Sequence, residues 1–171
     1  METKEKLPDI DQADLAILAQ LQEDSSLSNL DLARKVHISP ATCLRRVKRL
    51  WDAGLIEGEV ALLSRERLAA TLGHGLEAVV EVSLDRQGSE EQEAFEARVI
   101  EDDAVQQCYR VSPGPDFVLI VAVADMPAYQ AFAARLLNQD ANVRNVRSFF
   151  AVRRARFGSE LPLPRAPEAS A

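Results

Sequence analysis

The chain has 171 residues, is 47% hydrophobic and carries a formal net charge of −7, which suits one medium domain or two small ones with packed cores and excludes a disordered chain. No apolar run approaches the ~20 residues of a membrane span. The charged start Met1-Glu2-Thr3-Lys4-Glu5-Lys6 leads into no apolar signal core, so secretion is not expected.

In chain order, Ile10, Leu15, Ile17, Leu18 and Leu21 recur at helical spacing and predict a first helix over Asp11–Glu23. Asp24-Ser25-Ser26-Leu27 ends it. Ser28, with Asp31 three positions on, predicts the capped start of a second helix whose inner face is Leu30, Leu32, Ala33 and Val36. His37-Ile38 makes a tight turn and Ser39 caps a third helix. Pro40 fits its first turn, where a missing N–H costs nothing, and Gly54 stops it. Ile38, Leu44, Val47 and Leu50 are placed to face the first two helices. Arg45, Arg46, Lys48 and Arg49 are left outward or along the edges. A short helix, a tight turn and a basic helix make a helix-turn-helix unit. The acidic total does not oppose this, because binding to a polyanion depends on local charge. Between Ala33 and Trp51 lie six basic residues (Arg34, Lys35, Arg45, Arg46, Lys48, Arg49) and no Asp or Glu.

Leu55–Leu63 reads as a strand, Ser64–Leu68 as a helical turn, and the stretch to His74-Gly75 as a hinge. The second half changes pattern. Leu76–Leu84 alternates as a strand, and Ser89 caps a helix over Glu90–Ile100. Ala104–Val111 is a second strand, Ser112-Pro113-Gly114-Pro115 a turn, and Phe117–Ala124 a nearly continuous apolar strand. Asp125 caps a helix over Pro127–Leu137, and Val143–Val152 is the last strand. The order β-α-β-β-α-β describes a ferredoxin-like sandwich. The expected fold class is α+β. An N-terminal three-helix (winged) helix-turn-helix domain spans residues 9–63 and a linker spans 64–75. A C-terminal ferredoxin-like βαββαβ domain spans 76–154, and a disordered tail, rich in Pro, Ala and Ser, spans 155–171. Two cysteines, Cys43 and Cys108, and two histidines without metal-ligand spacing point to a reduced, cytoplasmic chain with no metal and no cofactor.

These pieces, in this order, resemble the Lrp/AsnC family of bacterial and archaeal regulators over roughly residues 9–154. The resemblance is carried by Ile10-Asp11-x-x-Asp14-x-x-Ile17-Leu18-x-x-Leu21-Gln22, Leu32-Ala33, Ile38-Ser39-Pro40, Cys43-Leu44-x-Arg46-Val47-x-Arg49-Leu50 and Gly54-Leu55-Ile56-x-Gly58. Ala61-Leu62-Leu63, Cys108-Tyr109-Arg110-Val111-Ser112 and Asp125-Met126-x-Ala128-Tyr129 add to it. It implies a sequence-specific regulator of double-stranded DNA and not an enzyme. It also implies a C-terminal domain that senses an amino acid or related molecule and forms a homodimer, assembling to an octamer. Sirohaem decarboxylases resemble the same two domains and supply the alternative, enzymatic reading. That chemistry needs a buried proton donor, whereas His37 falls in the helix-turn-helix turn and His74 in the hinge.

The third helix is expected to enter the major groove by its N-terminal end. Ser39, Pro40, Ala41 and Thr42 permit close approach there, and Arg45, Lys48 and Arg49 reach bases or phosphates. An Arg paired bidentately with guanine contributes ~1–3 kcal/mol of discrimination. Arg46 is open between contacting DNA and bracing the helices. By resemblance, Ser112, Pro113, Gly114 and Asp116 lie near the effector. Two departures stand out. Ser25-Ser26 replaces the family's Gly-Arg, and the effector loop reads Pro113-Gly114-Pro115-Asp116-Phe117 with its glycine displaced by one position and two prolines that donate no N–H.

Overall fold

A computed structural model of the chain describes residues 9–72 and 75–164. They fall into two units: one runs to Ala61 and resumes at Arg156, and the other is Leu62–Ala155. His74, expected in the hinge, lies outside the described residues.

In the first unit, α1 (Gln12–Glu23), α2 (Asn29–Lys35) and α3 (Pro40–Asp52) each start on a side-chain cap. Asp11 and Asp14 close a reciprocal box on α1: each carboxylate accepts the other's backbone N–H, at 3.0 and 3.1 Å. Ser28 accepts the Asp31 N–H at 3.2 Å, and its hydroxyl donates to the Asp31 carboxylate at 2.6 Å. Ser39 accepts the Thr42 N–H at 3.3 Å. Beyond α3 the chain leaves through Gly54 at φ 68°, where a side chain would be strained, and the Leu55 N–H returns to the Leu50 carbonyl. Ile17, Leu32, Ala33, Cys43 and Leu50 form a small buried centre, ringed by Leu18, Leu21, Val36, Ile38, Val47, Leu55 and Ile56. Burial pushes the Cys43 thiol up, which makes it an apolar filler and a poor nucleophile.

Two expectations are corrected here. Leu30 and Leu44, read as inward, are 48% and 61% exposed. On α3 the inward positions are Cys43, Val47 and Leu50, and Leu44 lies a turn of about 100° away from Cys43. The strand expected at Leu55–Leu63 does not form. A strand needs a ladder partner, and among the described residues this segment has none; Val60, Leu62 and Leu63 stay 80%, 66% and 68% exposed. Of the segment read as a disordered tail, the part to Pro164 is described. It carries no helix or strand, and it meets α1 through Gln22, whose side-chain amide accepts the Leu161 N–H at 2.6 Å and donates to the Leu161 carbonyl at 3.2 Å.

In the second unit a short helix α4 (Arg65–Leu72) extends the helical turn expected after Ser64. Then follow β1 (Leu76–Leu84), α5 (Ser89–Val99), β2 (Val105–Arg110), β3 (Phe117–Val123), α6 (Met126–Ala133) and β4 (Val143–Phe150). The sheet is antiparallel in the order β2-β3-β1-β4, the ferredoxin-like arrangement. Two details differ from expectation. Ser89 is the first residue of α5, with Gly88 in the cap position and no side-chain cap. The last turn after α6, Ala134–Asn138, is a π-turn that buries Leu136 and Leu137. Alternate residues of β1 (Ala78, Val80, Val82, Leu84) face the helices and pack with Phe95, Val99, Phe117, Leu119, Val121 and Phe132. Phe95 and Phe117 stack with ring centroids 4.8 Å apart.

Phe117 is fully buried at the centre of this core. Phe117→Ala is expected to destabilise the second unit by about 3–5 kcal/mol, read from the denaturant midpoint of that unit's unfolding. A loss under ~1 kcal/mol would mean that the sheet and helices do not share one core.

Candidate nucleic-acid interface and effector loop

The side chains of α3 sort into an inner face, an outer face and a flank. Cys43, Val47 and Leu50 pack inward. Ala41, Leu44, Arg45 and Lys48, spaced i, i+3, i+4, i+7, form an exposed stripe. Arg46 and Arg49 lie between, on the side turned toward α1, where Asp14 waits. Asp14 is completely buried, in the apolar stripe that α1 turns to the core. Its carboxylate accepts the Asp11 N–H at 3.1 Å, the Arg46 guanidinium at 2.9 Å and the Arg49 guanidinium in a short contact. Arg46 also bonds both oxygens of Asp11, at 2.8 and 2.7 Å.

A lone buried carboxylate would cost several kcal/mol, and three donors with two positive charges offset that. Asp11 is held below its ordinary value of 3.8, first by the Asp14 N–H and then by Arg46. A depressed carboxylate contributes stability that is present above that value and is lost as pH falls through the lowered one. Arg46 is raised, chiefly by its bond to Asp11.

Of the expected DNA-contacting side chains, Arg46 and Arg49 are thus ion-paired inside the unit. Ser39 and Thr42 are bonded to each other, hydroxyl to hydroxyl at 2.8 Å. The Pro40 carbonyl accepts the Asn29 side-chain amide at 2.9 Å, which ties the start of α3 to α2. Ala41 is exposed and leaves room for close approach. Among the described residues no ion pair or hydrogen bond holds Arg45 or Lys48. Arg34, paired to Asp31 at 3.3 Å but well exposed, and Lys35 add positive charge at the end of α2. Sequence reasoning missed Asp14, although a carboxylate in the series 14, 17, 18, 21 of an otherwise apolar stripe is a readable signal.

The expected effector residues separate. Ser112, Pro113 and Gly114 are exposed on the turn between β2 and β3, and Ser112–Pro113 is a cis peptide. Asp116 turns inward and is 8% exposed. Its carboxylate accepts the Leu84 N–H at 2.7 Å and the Gln87 amide at 3.2 Å, and its own N–H donates to the Val82 carbonyl at 2.9 Å. Asp116 therefore pins the turn to β1. A separate surface groove of about 660 Å³ runs along α4, lined by Leu68, Ala69, Leu72, Leu76 and Val123 and flanked by the Arg65–Glu77 ion pair. Among the described residues no cluster of three or more His, Cys, Asp or Glu could hold a metal ion, and no helix is long and apolar enough to cross a membrane.

Residues 10–57 match the family model for winged helix-turn-helix DNA-binding domains, and residues 77–160 match the Lrp/AsnC ligand-binding domain. The chain is 36% identical to the Bkd operon transcriptional regulator of Pseudomonas aeruginosa, over 92% of this chain and 100% of that one. It is 36% identical to the leucine-responsive regulatory protein of Escherichia coli K12, over 82% of this chain and 84% of that one. Among solved structures, an AsnC family transcriptional regulator from Agrobacterium tumefaciens superposes with a TM-score of 0.79 at 34% identity, covering 90% and 97% of the two chains. A Neisseria meningitidis transcriptional regulator in complex with L-Met does so with a TM-score of 0.79 at 32% identity and the same coverage.

Asp14→Ala removes the shared partner of two guanidiniums. Arg46 keeps about a fifth of its side chain in water and Arg49 nearly half, so both rehydrate in part. The expected cost to the first unit is about 3 kcal/mol, measured as a lowered melting temperature. An unchanged melting temperature would mean that the network contributes nothing to the fold.

Proposed function

The chain belongs to the Lrp/AsnC family of transcriptional regulators, and we propose that its α3 reads double-stranded DNA through Ala41, Arg45 and Lys48. Arg46 and Arg49 brace the helix from behind. Arg34 and Lys35 take phosphates at its flank, and Ser39, Pro40 and Thr42 shape its N-terminal approach. The observation that carries this reading is the exposed stripe whose two cations have no partner among the described residues, on a helix whose other two cations do. Phosphate contacts set register, and base contacts supply sequence.

One such helix binds weakly, so two reading heads about 34 Å apart, on successive major grooves, are needed for useful affinity. We assign the pairing to the open face of the sheet, the face without helices. There Val79 sits between Ile120 and Phe149 across the strands, and Tyr109 lies beside Val118. Tyr109 and Phe149 are 51% and 46% exposed. Glu81 and Arg147 pair at 3.3 Å on the same face. A face holding both charges and an apolar centre can meet a copy of itself about a two-fold axis. Homodimers of this kind can assemble further, to an octamer. An amino-acid effector, like the L-Met of the Neisseria relative, would be taken at subunit interfaces near the Ser112–Gly114 turn. Asp116 shapes that turn and does not face the ligand. The effector acts only if it binds two assembly states with different affinity.

The test is one titration of the full chain with its operator duplex, selected from random sequence. About eight cations on two heads are expected to cost ~10³-fold or more in affinity between 50 and 200 mM salt. Ile120→Asp is expected to give monomers by sedimentation and to weaken binding about 100-fold. At least one common amino acid is expected to shift either the curve or the sedimentation. Salt-independent binding contradicts the DNA reading. An Ile120→Asp protein of unchanged mass contradicts the sheet interface, and indifference to every amino acid contradicts the effector.

A further inference from the structure

The exposed stripe on α3 contains a side chain that neither packing nor phosphate binding uses. Leu44 is 61% exposed, one position before Arg45 and one helical turn before Lys48. The residues that pack the first unit from α3 are Cys43, Leu50 and, half-buried, Val47. Leu44 is not among them. An exposed leucine at the edge of the stripe that carries Lys48 and Arg45 adds nothing to the buried centre and gains nothing from phosphates. Facing the floor of a major groove, it meets a different chemistry. There the one apolar group offered by the bases is the C5-methyl of thymine. Ala41, one turn earlier, keeps the surface beside Leu44 low, so the leucine stands proud at the edge of the stripe, with Lys48 about 40° and Arg45 about 100° round the helix on the same side.

We propose that Leu44 is a specificity-determining residue that recognises a thymine methyl group, so that each half-site contains one thymine whose methyl is read by van der Waals contact. This rests on α3 being the DNA-reading helix. Arg45 supplies polar discrimination and Leu44 supplies apolar discrimination at a neighbouring base pair. The contact needs no ordering of a long side chain, since a leucine on a helix has few rotamers to lose.

The test uses full-length protein and the duplex that it selects from a random-sequence library. Each thymine is replaced in turn by deoxyuracil, which removes only the methyl group. Wild type is expected to lose about fourfold in affinity at one thymine per half-site, equivalent to about 0.8 kcal/mol for one buried methyl. Leu44→Ala is expected to bind the thymine duplex about fourfold more weakly and to lose less than twofold further on the uracil substitution. Leu44→Met is expected to restore the thymine preference. Because Leu44 lies outside the core, Leu44→Ala should melt as wild type does, which separates a lost contact from a lost fold. Thymine and uracil bound equally at every position by wild type, or a uracil penalty that survives intact in Leu44→Ala, overturns the assignment while leaving Arg45-dependent DNA binding standing. Failure to select any duplex overturns the DNA-reading role itself.

Discussion

The buried carboxylate of Asp14 is the interaction on which the first unit turns. It sits among apolar residues of α1 and draws two guanidiniums of α3 onto itself. Its backbone N–H and that of Asp11 complete the start of α1 through the same pair of side chains. With five described residues in the buried centre of that unit, hydrophobic packing alone leaves α3 weakly oriented. A charge-assisted network of fixed geometry supplies direction as well as energy. The network also decides chemistry at a distance. By occupying Arg46 and Arg49 it makes α3 two-sided, braced on one side and cationic on the other, and so separates residues that look alike in one dimension.

Asp116 plays a comparable part in the second unit. It too is inward, and it too gives its carboxylate to neighbours in the fold, here the end of β1 and Gln87. In both units an acidic residue lying within a functional motif shapes the surface from beneath. The groups left exposed are the neighbours: Arg45 and Lys48 on α3, and Ser112–Gly114 on the turn. The open sheet face adds a third surface, apolar at its centre and charged at its edge.

Much of this was legible because helices and strands advertise themselves by period. Pro40 at a helix start, Gly54 at its end, Ser28, Ser39 and Asp125 at caps, and alternation along Leu76–Leu84 all act locally, and local chemistry survives translation into one dimension. The misses were matters of direction and partnership. Leu44 is apolar, which by type points inward; its angle relative to Cys43 places it outside. Leu55–Leu63 has strand composition, but a ladder depends on a second strand, and none among the described residues pairs with it. Arg46 and Arg49 cannot be told from Arg45 and Lys48 by type. What distinguishes them is a carboxylate some 30 residues away that folding brings alongside. The Gln22 contact with Leu161 spans most of the chain and leaves no periodic trace.

The division of labour on α3 is tested most directly by comparing Arg45→Ala with Arg49→Ala, measuring melting temperature and operator affinity for each at one salt concentration. If Asp14 sets the roles, Arg45→Ala melts as wild type does and binds at least tenfold more weakly, the loss of about 1.4 kcal/mol or more expected for a base-reading arginine. Arg49→Ala then melts lower and keeps its affinity within about threefold, in line with the modest worth of a half-exposed ion pair. The opposite pattern, with Arg49 governing affinity and Arg45 governing stability, would contradict it.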